Sequence, residues 1–233
     1  IHPWRIRQAV RFDDLLEQPL NYQRTEEVIA VTDHPAFPRR PYQALIFDCD
    51  GTLTDSMPVH YVAWRRTMDR WGIEFPEDRF YSLGGMPSDR IVRLLADEQG
   101  KSLDIAVAAA QKEEEFLTML SRLEPIDPVV RVARHFFGQL PMAVASGGFR
   151  EIIRLQLQQI GVQELFSVVV TAEDTERHKP HPDVFLEAAA RLQAAPAECL
   201  VYEDSDLGIQ AAIAAGMDYV DIRHFHQPRR IPV

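Results

Sequence analysis

From Asp127 to Arg223 the chain repeats one pattern, a short apolar run followed by a stretch with apolar residues at helical spacing. Runs over 142–145, 166–171, 199–203 and 219–222 alternate with helical stretches over 129–137, 149–160, 182–192 and 206–215. A run such as Met142-Ala143-Val144-Ala145 is apolar on both faces. A strand of that kind belongs in a parallel sheet with helices on both sides. The expected fold is therefore α/β, a Rossmann-like doubly wound parallel sheet, whose ligands bind beyond the carboxyl ends of its strands.

A further strand precedes this region. Leu45-Ile46-Phe47 runs directly into Asp48-Cys49-Asp50-Gly51-Thr52-Leu53-Thr54-Asp55-Ser56. Two carboxylates a few ångströms apart raise each other's pKa or demand a cation, which suits a magnesium site with one aspartate as nucleophile and the other as acid/base. The competing reading is an Asp-Gly turn in which Asp50 only closes a loop.

Three other strand ends carry polar groups. Ser146-Gly147-Gly148 offers a hydroxyl, close backbone approach and the positive end of a helix, which can cradle a phosphate or be an ordinary turn and cap. In His178-Lys179-Pro180-His181-Pro182-Asp183, Pro180 steers Lys179 away from helical geometry, so its ammonium projects from a loop, toward a phosphate or toward solvent. Of 25 basic residues only three are lysine, which makes Lys179 conspicuous. Glu203-Asp204-Ser205-Asp206 ends a strand in acids that either cap the next helix or complete an oxygen-ligand site with Asp48 and Asp50.

Together these four stretches resemble, in order and spacing, the motifs of the haloacid dehalogenase superfamily of phosphatases, over nearly everything from Gln43 to Arg223. The resemblance implies that Asp48 attacks phosphorus while Asp50 protonates the leaving oxygen and later activates water. It implies further that Ser146 and Gly147 hold the phosphoryl group and that Lys179 bridges it to the nucleophile. Mg2+ would be ligated by Asp48, the Asp50 backbone carbonyl and Asp204, with Glu203 as a further candidate. Residues 57–124 read as helices, with Met57, Tyr61, Trp64, Met68 and Trp71 at helical spacing between Pro58 and Gly72, then helices over 88–99 and 102–123. A helical block in that place is similar to the superfamily's cap, a lid that excludes water. The expected organisation is an amino-terminal extension over 1–41 packed on the core, a core of 42–56 and 125–223, a cap of 57–124, and a tail of 224–233. The extension departs from the family pattern; a helix near Ala9 to Glu17 and a β-like run Val28 to Val31 are expected in it, docked through Trp4, Phe12 and Leu15.

The cap, the Glu-Asp-Ser stretch and His60, ten residues after Asp50, are most similar to the β-phosphoglucomutase-like subfamily. His60 is expected to link lid closure to the acid/base. The mutase pattern has a cap arginine where Ser88 stands and a cap lysine that falls on Thr118, so both cations are expected to be missing. Gly85-Met86-Pro87-Ser88-Asp89-Arg90 is instead similar to phosphatases of small sugar phosphates such as fructose 1-phosphate, with Arg90 as a substrate contact. Specificity is expected in that loop and in the helix of His60. The expected function is Mg-dependent hydrolysis of a small sugar phosphate, with a phosphosugar mutase as the alternative. A receiver domain would also have an acidic pocket, a hydroxyl and a lysine, but the acid/base Asp50, the helical block and the motif order speak against it. A catalytically silent scaffold is disfavoured because every chemical position is filled.

The rest of the chain bounds the partners. At 233 residues and 46% hydrophobic content it can bury a sizeable core, and a net charge of -10 without a basic stripe argues against nucleic acid. Cys49 and Cys199 fall in or beside buried strands and suggest neither disulfide nor zinc. With no apolar run of membrane-spanning length and no signal-peptide pattern, the expectation is a cytoplasmic monomer or weak homodimer with no membrane partner.

Overall fold

The computed structural model describes residues 33–229, so the expected helix and β-like run of the extension, and the docking of Trp4, Phe12 and Leu15, lie outside the described residues. Five parallel strands form one sheet in the order β3-β2-β1-β4-β5. They are β1 (Ala44–Phe47), β2 (Met142–Ala145), β3 (Val168–Val170), β4 (Cys199–Glu203) and β5 (Asp218–Asp221). The strand order reverses between β1 and β4, where Phe47 lies beside Tyr202. Loops diverge at such a reversal and leave a crevice, which is where this sheet presents its acids.

Alternate residues of each strand address opposite faces. Leu45, Phe47, Val144, Leu200 and Tyr202 pack against the helices α5 (Asp127–Phe136) and α6 (Arg150–Gln159). On the other face Ala44, Ile46, Ala143, Ala145 and Val201 meet α7 (Asp183–Leu192) and α8 (Asp206–Ala214). There the helices present Ala188, Ala189, Ala211 and Ala212, and small residues on both sides allow close approach. Phe47 and Tyr202 stack 4.6 Å apart, and the buried Tyr202 hydroxyl donates to the Ala36 carbonyl, fastening residues before β1 to the core. Where doubly covered strands were expected throughout, the edge strand β5 is instead half exposed, with Tyr219 43% accessible. An edge strand has a neighbour on one side only, so its outer side chains reach water.

Between β1 and β2 lies a layer of helices: α1 (Met57–Trp71), α2 (Glu77–Ser82), α3 (Ser88–Glu98) and α4 (Ile105–Leu117). The short α2 was not foreseen, and the expected helix over 102–123 is divided into α4 and a turn of 3-10 helix, Leu120–Arg122. Trp64, Met68, Phe75, Phe80, Ile91, Val92, Leu95 and Ala108 bury one another, giving this layer a core of its own. Each such large side chain contributes about 1.5–3 kcal/mol, while Val59, Val62, Ala63 and Phe116 of the same helices join the buried cluster of Leu45 and Phe47 and tie the layer to the sheet. Two strands of backbone connect it to the sheet, with Thr54 bridged to Pro125 and the Asp55 amide donating to the Glu124 carbonyl at 2.9 Å. The tail rests on this connection: the Arg229 amide donates to Asp55 Oδ2 at 3.0 Å.

Candidate active site

β1 and β4 deliver the acids side by side. Asp48 follows the last residue of β1, its amide donating to the Tyr202 carbonyl at 3.0 Å, and its carboxylate is buried. Glu203 ends β4 fully buried, and Asp204 follows it. Lys179, from the loop after β3, inserts between the strands; its Nζ donates to Asp48 Oδ1 at 2.6 Å and to Glu203 Oε1, and lies 5.0 Å over the Phe185 ring. Burial acts against the lysine charge, but Asp48 and Glu203 outweigh it and raise its pKa. Burial and the charges of Glu203 and Asp50 in turn outweigh Lys179 at Asp48, whose pKa is raised. One ammonium is insufficient for the buried Asp48 and Glu203 and the half-buried Asp204.

The excess negative charge fits a divalent cation. Oxygens of Asp48, Glu203 and Asp204 lie within 4.8 Å of one another, an all-oxygen set of the kind magnesium takes. Asp204, whose pKa is raised well above normal by burial and then by Glu203 and Asp48, has one donor among the described residues, the Thr52 hydroxyl at 3.3 Å on Oδ1. Glu203 is already saturated: beyond Lys179, its Oε2 accepts from the amides of Asp204 and Ser205 and from the Ser205 hydroxyl at 2.8–3.0 Å. Asp204 is thus the freer ligand and Glu203 the one that holds Lys179. Gly51, at φ +79, passes so close to Asp204 that any Cβ would lie 2.1 Å from its Oδ2. A side chain at 51 would occupy the space that the acids enclose.

Asp50 has a different environment. Its Oδ1 accepts from the Ser56 hydroxyl at 2.7 Å, from His60 Nε2 at 2.7 Å and from the Gln156 amide at 2.8 Å. Burial would raise its pKa; hydrogen bonds from His60, Ser56 and Gln156 outweigh burial and lower it. His60 is stacked flat on Phe116 at 3.9 Å, and its Nδ1 lies 2.9 Å from Lys112 Nζ. Lysine can only donate, so Nδ1 is the acceptor and Nε2 carries the hydrogen that meets Asp50. Gln156 is fixed by the Thr54 hydroxyl at 2.9 Å on its own Oε1.

Ser146 is buried at the end of β2 and accepts from the Gly148 amide at 3.0 Å, leaving its own proton to donate. Gly147 faces the helical layer so closely that a Cβ there would come within 2.6 Å of the Gly85 carbonyl oxygen. Replacing Gly147 by alanine is expected to unseat the Gly84-Gly85 loop and lower kcat/KM by about 10²-fold, in line with the cost of a misplaced site, while the melting temperature stays close to wild type. Steady-state kinetics alongside thermal melts check this.

A cavity between sheet and helical layer is lined by Asp48, Asp50, Ser146, Gly147 and Asp204 from below, and by His60, Trp64, Ser88, Lys112 and Glu113 from above. The sequence-derived residues Asp48, Asp50, Ser146, Gly147, Lys179, Glu203, Asp204 and His60 therefore converge. Arg90 does not: it is exposed, outside the lining, and its charge acts on His178, which burial and then Arg90 depress. Two residues after Ser88 on α3, it points about 200° away from the cavity side. The expected absence of a cap lysine is also overturned. Lys112 on α4 is buried in the cavity wall, whereas Thr118 is exposed and bonded to the Glu115 carbonyl. Lys112, Glu113 and Gln156 were missed; Lys112 shared the rarity that singled out Lys179, and Gln156 is a polar residue on the apolar face of α6 beside Ile152, Ile153 and Leu157.

Sheet order, inserted helices and clustered acids together define a haloacid dehalogenase-like hydrolase, and residues 42–216 match that family's model. The chain belongs to this family. It is 40% identical over 183 residues to the fructose-1-phosphate phosphatase of Escherichia coli, covering 78% of this chain and 97% of that protein. It is 28% identical to the β-phosphoglucomutase of Bacillus subtilis, over 77% of this chain and 83% of that one. A hydrolase from Pseudomonas syringae has a solved structure that superposes with a TM-score of 0.70 at 25% identity, over 79% of this chain and 87% of that chain.

Proposed function

We propose that the protein is a magnesium-dependent phosphatase of small sugar monophosphates that works through an aspartyl-phosphate on Asp48. The observation that carries this reading is the contrast between two carboxylates one residue apart. Asp48 is bound to an ammonium at the strand end, and Asp50 is held on one oxygen by three donors, so the pair is divided into two chemical roles. The 40% identity to a fructose-1-phosphate phosphatase supports the substrate class.

Asp48 attacks phosphorus, with Lys179 balancing the charge that collects on the nucleophile and the transferring oxygens. The Ser146 hydroxyl and the Gly147 amide orient the phosphoryl group. Asp50 gives its proton to the leaving oxygen from Oδ2, since Oδ1 is occupied by its three donors. The phosphate dianion beside Asp50 raises its pKa on binding, which readies it as an acid; once the ester oxygen has left, the carboxylate takes a proton from the attacking water. A magnesium ion held by Asp48, Asp204 and the Asp50 carbonyl would supply the positive charge that keeps Asp48 ionised.

The test is phosphate release from a panel of sugar phosphates with magnesium, with and without glucose 1,6-bisphosphate, β-glucose 1-phosphate included. Free phosphate from hexose or pentose phosphates, lost with chelator and restored by magnesium, is the expected result. Conversion of β-glucose 1-phosphate to glucose 6-phosphate without phosphate loss would make the protein a mutase. Lys112 gives that alternative a cap cation, but Glu113 beside it neutralises the charge a second phosphate would need.

A further inference from the structure

On the cavity wall formed by the helical layer, which also holds the Trp64 indole with its N–H donor, the side chains of Glu113 and Ser88 make a corner of acceptors. Lys112 Nζ is engaged by His60 Nδ1 at 2.9 Å and by Glu113 Oε1 and Oε2 at 3.1 and 3.3 Å. Glu113 Oε1 also accepts the Ser88 hydroxyl at 2.6 Å, so the Ser88 proton is spent and its lone pairs remain. Glu113 lies 85% out of solvent by its side chain; burial would raise its pKa, and the Lys112 charge and the Ser88 hydroxyl outweigh burial and lower it. A carboxylate has about four acceptor positions, more than these donors occupy.

The Glu113–Ser88 corner repels phosphate oxygens, which are acceptors themselves, and suits a group that donates. Below it, Asp48, Asp50, Ser146 and Asp204 address the phosphate end. The part of the ligand that reaches Glu113 and Ser88 is therefore neutral and carries hydroxyls. Resting on the phosphatase reading above, we propose that Glu113 and Ser88 recognise substrate hydroxyls and exclude a second phosphate, so the substrates are monophosphates of sugars or polyols. Glu113 would then set specificity from α4, outside the loop and the helix of His60 where specificity was expected.

The experiment compares kcat/KM for a hexose monophosphate, its deoxy analogues, the hexose bisphosphate and p-nitrophenyl phosphate in wild type, Glu113→Gln and Ser88→Ala. Wild type is expected to prefer the hydroxylated monophosphate over at least one deoxy analogue by about tenfold or more, as sites built around a hydroxyl do. In Glu113→Gln that ratio is expected to fall toward one and the bisphosphate to gain about tenfold relative to the monophosphate. Ser88→Ala is expected to lower the same ratio less, and carries the test alone if Glu113→Gln does not fold. A ratio that survives in both variants while all substrates decline together would overturn the inference and leave Glu113 as a prop for Lys112. Hydrolysis of p-nitrophenyl phosphate but of no sugar or polyol phosphate by wild type would overturn the sugar reading, and this inference with it.

Discussion

Asp48→Asn is expected to lower phosphate release by about 10⁴-fold or more, the scale on which loss of a covalent nucleophile is felt. The substitution keeps the shape of the side chain, and its amide oxygen can still accept from Lys179, which retains Glu203 as a full partner. The fold should therefore persist, with a melting temperature within a few degrees of wild type. Acid quench during turnover of a phosphate-labelled substrate should trap label on the wild-type chain and none on the variant. Magnesium-dependent turnover or trapped label in Asp48→Asn would remove Asp48 from the reaction.

Lys179→Met is expected to be costly in another way. The ammonium is the shared partner of Asp48 and Glu203, both almost wholly buried, and methionine leaves two carboxylates facing each other without it. Removing one member of a buried ionic cluster typically destabilises by about 3–5 kcal/mol. In a chain of this size that corresponds to a fall in melting temperature of roughly 10 °C. Combining it with Asp48→Asn should recover part of the loss, since one of the stranded charges is then gone, and the cycle of four proteins measures the coupling. A melting temperature equal to wild type in Lys179→Met would mean that the lysine is not a structural counter-charge. Added magnesium should stabilise Lys179→Met more than wild type, because it replaces the missing positive charge.

The acids and the lysine were legible in the sequence because each stands where an apolar strand stops. Asp48 after Leu45-Ile46-Phe47, Ser146 after Ala143-Val144-Ala145 and Asp204 after Val201-Tyr202-Glu203 need only the rule that parallel sheets bind ligands at that end. Strand and helix limits were also largely legible, since Met142–Ala145 and Cys199–Glu203 are bounded by changes of period. The helical layer was not, for a physical reason. Lys112 and Glu113 sit on α4 among Gln111, Glu114 and Glu115, a charged stretch that reads as a solvated face. Which of those charges turns inward depends on how α4 rests on α1 and on where His60 and Trp64 put their rings, as the 5.3 Å approach of Lys112 to Trp64 illustrates. Arg90 fails by the same route: a helix rotated by two residues separates Ser88 in the cavity from an arginine outside it. Gln156 acts across 106 residues of sequence, and only the placement of α6 beneath the first loop brings its amide to Asp50.

The shortage of positive charge around Lys179 has a thermodynamic consequence. Two buried carboxylates and a half-buried one with one ammonium between them oppose the entry of a phosphate anion, and the phosphate in turn is what a divalent cation would gain from binding beside them. Each ligand therefore tightens the other, and because binding free energies are reciprocal, the factor by which magnesium improves affinity for substrate equals the factor by which substrate improves affinity for magnesium. On the proposed reading the protein would meet its two ligands as one cooperative event, and at low magnesium a rise in sugar phosphate would itself favour uptake of the metal.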